Sequence, residues 1–118
     1  MKTEQLEKYL LSLKGAQGCY PFGPEAYVFK VMGKMFALTA IHNGIPSITL
    51  KCLPADGDFL VHEFDSIIPG YHMSKQHWIT IALTGELSES MLQDLADKSY
   101  NLVVSKLTRV NKEALSAL

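Results

Sequence analysis

A chain of 118 residues, 47% hydrophobic and 19% charged, suits one domain spanning residues 1–118 that buries a core without disulfide or metal staples, and it excludes wholesale disorder. Its apolar runs are no longer than strands, so no membrane span is expected; no basic, apolar, small-residue leader opens it, so a cytoplasmic location is expected. The net charge of −1 is unevenly distributed: residues 26–55 carry Lys30, Lys34 and Lys51 without an acid, and residues 66–85 carry only Lys75.

Thr3 is placed to cap a first helix in which Leu6, Tyr9, Leu10 and Leu13 recur at helical spacing, and Gly15 ends it. The stretch "GCYPFGP" then reads as an ordered loop, because each proline fixes its own φ and pushes the preceding residue away from helix. From Tyr27 the period falls to two. "YVFKV", "KMFALTAI" and "PSITLK" read as three strands, joined by a turn at Gly33 and by Asn43-Gly44, the strongest short hairpin signal. After Pro54, "DGDFLVHEF" predicts a short helix weakened by Gly57. "WITIAL" is a further strand. Ser88 caps a long helix whose Leu92, Leu95, Ala96, Ser99, Leu102, Val103 and Lys106 trace one face, and the tail after Leu107 extends the helical pattern by a turn or two. Helices at both ends of a strand meander imply an α+β fold: two layers, a mostly antiparallel sheet with the terminal helices on one face.

Alternation along a strand assigns side chains to faces. Ile48, Leu50 and Cys52 form one apolar set, Ile79, Ile81 and Leu83 another, and Tyr27, Phe29 and Val31 a third. Lys30, Thr49, Lys51, Trp78 and Thr80 are left together on the opposite face. Three accounts of a tryptophan there stay open. The loop over residues 66–73 folds across it, or the ring is a platform that stacks on a planar group while lysines meet phosphate or carboxylate, or it centres a homodimer contact.

The stretch "IIPGYHMSKQHW" gathers Tyr71, His72, Lys75, His77 and Trp78 without an acid. Ile68-Pro69-Gly70-Tyr71 fits a type II turn, proline fixing the first central position and glycine supplying positive φ at the second. Such a turn would hold Tyr71, His72 and Lys75 beside Trp78. The histidines and the two cysteines match no metal or redox spacing, so no metal and no cofactor is expected. Ser74 and His77 lack a nearby carboxylate to orient the imidazole, and no phosphate-cradling glycine loop or nucleophile elbow is present. No catalytic residue is therefore assigned.

Four stretches, "YPFGPEAYVFKVMGKMFAL", "SITLKC", "IIPGYHMSKQHWITI" and "SYNLVVSKL", resemble the MmcQ/YjbR family. The most specific part is Pro69 to Met73 followed by His77-Trp78. Ile79 stands where many relatives have asparagine. The resemblance implies a CyaY-like, frataxin-like fold and DNA binding by a "double wing" arrangement, with Lys51, Tyr71, His72, Lys75, His77 and Trp78 as the matching positions. The combined expectation is a non-enzymatic, bacterial-type protein that binds DNA through a basic and aromatic sheet face, Lys30, Lys51 and Lys75 meeting phosphates. The alternative is a small-molecule or protein interaction module, a homodimer among its versions, using the same face.

Overall fold

The computed structural model describes residues 1–70 and 73–118. Lys2, not Thr3, holds the N-cap position of helix α1 (Thr3–Ser12), and Gln5 Oε1 accepts its backbone N–H at 3.2 Å. Leu6 and Leu10 are the buried face of α1. Six strands follow: β1 (Ala16–Cys19), β2 (Ala26–Val31), β3 (Lys34–His42), β4 (Ile45–Lys51), β5 (Ile67–Pro69) and β6 (Trp78–Ala82). Helix α2 (Pro54–Glu63) links β4 to β5, and α3 (Glu89–Ser105) and α4 (Arg109–Ser116) close the chain. The strands lie in the order β1-β2-β3-β4-β6-β5 with every neighbouring pair antiparallel. This is the α+β arrangement expected from the strand meander. Its two edge strands, β1 and β5, are the elements that alternation did not announce.

The hairpins are fixed by their loops. Val31 faces Lys34 and His42 faces Ile45 across Met32-Gly33 and Asn43-Gly44, and all four loop residues have positive φ. That is the type I′ geometry whose twist matches the flanking strands.

Register then sorts the side chains. Phe29, Ala37, Leu50 and Ile79 form one row across the sheet, and Tyr27, Thr39, Ile48, Ile81 and Ile67 the next. The apolar members of these rows pack with Leu6 and Leu10 of α1 and with Leu92, Ala96 and Val103 of α3. Thr39, the polar exception, donates to the Glu7 carboxylate at 2.6 Å. The two C-terminal helices are capped as their sequences suggest. Ser88 Oγ accepts from the Met91 N–H and Thr108 Oγ1 from the Asn111 N–H. The tail is thus a full helix, α4, whose Leu115 is buried.

One hydroxyl joins helix to sheet. β3 bulges against β2, so that Phe36 falls between the pairs Phe29–Ala37 and Lys30–Met35. At this point Ser99 of α3, fully buried, donates to the Phe36 carbonyl at 2.6 Å and accepts the Lys51 N–H at 2.8 Å. A serine on an otherwise apolar helix face thereby completes the ladder where β3 and β4 separate.

Helices α1 and α3 are also tied by Tyr9, whose hydroxyl donates to Asp97 Oδ1 at 2.6 Å. That hydrogen bond, then burial, then the charges of Asp97 and Asp94, push the Tyr9 pKa up to about 12. A folded-state pKa raised above the unfolded value contributes stability below the ordinary tyrosine value of about 10, and that stability is lost as pH climbs through the folded value. Absorbance titration of the phenols should therefore show one tyrosine ionising near pH 12. Urea midpoints should fall over the window between the two values, and Tyr9→Phe should remove that part of the slope.

Candidate functional site

All the helix packing described above falls on one side of the sheet; the other, the open face, has no described helix against it, although Val28, Ser47, Thr49 and Thr80 along its middle are buried, at 1%, 5%, 5% and 3% exposure. Its central row is Val28, Leu38, Thr49, Thr80 and Ile68, one residue from each of five strands. Thr49 and Thr80 are buried and share a hydrogen bond of 2.9 Å between their hydroxyls. Short side chains make the middle of this face flat; Ala40, Ser47 and Ala82 continue it in the next row.

At the end of the sheet that carries the Met32-Gly33 turn, register pairs Lys51 with Trp78 and Lys30 with Met35. The Lys51 ammonium lies 5.9 Å from the centroid of the Trp78 ring, within the range of a cation–π contact. Both side chains are half-buried. Gly70 flanks the indole from β5's side: its N–H donates to the Trp78 carbonyl at 2.8 Å, and a Cβ on it would lie 2.7 Å from Trp78 Cβ. The chain passes close beside the tryptophan because residue 70 has no side chain. Trp78 nevertheless stays partly accessible.

Gly70 also corrects the expected type II turn. Its φ lies outside the left-handed region, and it continues the pairing of β5 with β6 instead of turning. Pro69 ends an edge strand, where its missing N–H costs no ladder bond. Tyr71 and His72 lie outside the described residues.

The remaining candidates are spread more widely. Lys30 shares the open face but is separated from Lys51 by β3. Lys75 is exposed and lines a depression of about 510 Å³ against α2, with Pro54, Asp58 and Val61, apart from the Lys51–Trp78 contact. His77 is exposed, and its carbonyl accepts the Cys52 N–H at 2.9 Å. Sequence reasoning missed Met35, Gly70 and Ser99 as neighbours of this site. Of these only Ser99 left a signal, a polar residue within an apolar helical stripe. Ile79 points into the core at 2% exposure, so an isoleucine at this position takes no polar group from the open face.

The open face thus offers an aromatic ring and an ammonium group on a flat, weakly polar sheet. Among the described residues no group of three or more His, Cys, Asp or Glu is placed to hold a metal. Among the described residues no helix is long and apolar enough to cross a membrane.

An antiparallel sheet with helices on one side and an open aromatic and basic face on the other defines the class of domain. The particular family follows from comparison: the YjbR family model matches residues 11–102, and the chain belongs to that family. The uncharacterised protein YbdF of Escherichia coli O157:H7 is 42% identical over 106 residues, covering 90% of this chain and 87% of that one. The uncharacterised YjbR of Escherichia coli K12 is 28% identical over the full length of both. Among solved structures, the Deinococcus radiodurans protein DR2400, with a DUF419 domain, superposes with a TM-score of 0.88 at 34% identity, covering 98% of this chain and 88% of that one. A Pseudomonas syringae protein superposes with a TM-score of 0.76 at 27% identity, covering 86% and 98%.

Proposed function

We propose that this chain is a single-domain, cytoplasmic, non-enzymatic protein that binds DNA through the open sheet face. The observation that carries this reading is the Lys51 ammonium beside the Trp78 ring on a face that the helices leave uncovered. Every base has a π-face, so a ring of this kind stacks without demanding a sequence, while neighbouring cations meet the backbone. Lys30 and Lys51 serve as phosphate contacts on the face, with Lys75 reached around its edge. Tyr71, His72 and His77 belong to the same proposal as stacking and hydrogen-bonding groups.

The chain holds a single tryptophan, so its fluorescence reports directly on the proposed site. Titration with duplex oligonucleotides at a series of salt concentrations should quench it saturably. The slope of log K against log salt should be about −1.8 if Lys30 and Lys51 make the phosphate contacts, and about −2.7 if Lys75 joins them. Absence of quenching at low salt sinks the proposal, as does a slope steeper than about −4, which would require a larger basic surface than this face provides.

A second reading rests on a different observation. Ile68, at 38% exposure, pairs with Thr80 two residues along from Trp78, and Ile45, at 41%, lies at the far end of the same face; exposed apolar groups sharing a face with an aromatic ring suit a protein contact, a second copy included. Solution mass separates the two readings.

A further inference from the structure

Helix α2 is seated through its backbone. Gly57 is its buried residue, and a Cβ there would lie 2.7 Å from Cys52 Sγ. Phe59 and Leu53 face outward at 63% and 53% exposure. A helix docked so narrowly leaves a groove of about 650 Å³ between itself and α3. The floor is Leu50 and Ile79, with Leu60 on the α2 wall and Leu95 and Leu102 on the α3 wall. This space lies on the helical side of the sheet, and of the residues assigned to the proposed DNA contact Lys51 alone also lines it. Its volume falls within the range of small-molecule sites, and apolar walls with a few placed polar groups are their usual lining.

The polar groups are not symmetrical. Lys51, Cys52 and Asp56 line the end toward the start of α2, whereas α3 contributes Lys98, Asn101 and Ser105, which recur at helical spacing along one stripe. Among the described residues Lys98 forms no ion pair; the pairs present are His62–Asp58 and Arg109–Glu113. From Leu95 to Ser105 the α3 wall runs about 15 Å, long enough for a medium-length acyl chain.

We propose that the α2–α3 groove binds a hydrophobic carboxylate, its apolar body along Phe59 and Leu102 and its carboxylate at Lys98 and Asn101. Charge selects this class. The apolar walls take the body and the unpaired Lys98 ammonium takes the single negative charge, while at the Cys52 end the charges of Lys51 and Asp56 offset each other.

The full-length protein contains an internal reporter, since Cys52 lines the groove and Cys19 sits on the distant edge strand β1. Burial pushes the Cys52 thiol above its ordinary value, with Asp56 adding to the rise, so alkylation by N-ethylmaleimide is run at mildly alkaline pH and read by peptide mass. Decanoate below its micelle concentration should bind saturably by calorimetry and slow Cys52 modification several-fold while leaving Cys19 unchanged. Lys98→Glu, a change at an exposed position, should weaken decanoate about tenfold, the loss of one charge-assisted contact, and leave decanol binding unaltered. Equal protection of both cysteines, or no saturable binding, overturns the proposal. So does unchanged decanoate affinity in Lys98→Glu, or protection of Cys52 that rises with protein concentration and solution mass in the absence of decanoate, which would make a second copy the occupant.

Discussion

Replacing Ser99 with alanine is expected to lower stability by about 2–4 kcal/mol, because each buried backbone group left without a partner costs about 1–3 kcal/mol. The substitution changes little volume. It leaves the Phe36 carbonyl without a donor and the Lys51 N–H without an acceptor, both at the place where the bulge in β3 has opened the ladder. With a urea m-value of about 1.5 kcal/mol/M the midpoint should fall by roughly 1.3–2.7 M. Ser105→Ala is the control, since that hydroxyl donates to the Leu102 carbonyl on the exposed side of the same helix, and such surface changes stay within about 0.5 kcal/mol. A Ser99→Ala midpoint shift no larger than the control's would mean that strands β3 and β4 close the gap themselves. The effect should also reach the open face, because the N–H that Ser99 holds belongs to Lys51.

That coupling shows where reading the sequence succeeds and where it stops. Alternation is a local property, so β2, β3, β4 and β6 were legible, and so was the sharing of one face by Lys51 and Trp78. Parity assigns a side but not a distance, which is why Lys30 lies on the expected face with β3 between it and Lys51. The edge strands were hidden for separate reasons. In β1 the alternation is broken by Gly18, whose place is taken by the Tyr27 ring lying against it; β5 has three residues and ends in a proline. Lys75 lies in a loop, outside any periodic element, and only the packing of α2 decides what it faces. Ser99 was visible as a polar residue on an apolar stripe. Its role was not, because that depends on a bulge in a strand 63 residues away in sequence.

Trp78→Ala is expected to weaken DNA binding about 5- to 150-fold, the equivalent of about 1–3 kcal/mol for one stacked base. Stability should change far less than in Ser99→Ala, because the indole is half-buried on a face that no helix covers, with Gly70 and Lys51 as its flanking contacts. Trp78→Phe keeps a π-face and should recover most of the affinity; Lys51→Ala should flatten the salt slope by about 0.9, one phosphate contact, with a smaller loss at low salt. The double variant Trp78→Ala, Lys51→Ala should lose less than the sum of the two, because the ring that positions the ammonium is already gone; a cation–π contact of this kind is worth about 0.5–1 kcal/mol at an accessible site. Affinity within twofold of the parent in Trp78→Ala would remove the open face as the DNA contact. If the same variant converts a dimer into a monomer, the ring is the centre of a subunit interface, and the exposed Ile68 near it belongs to that interface.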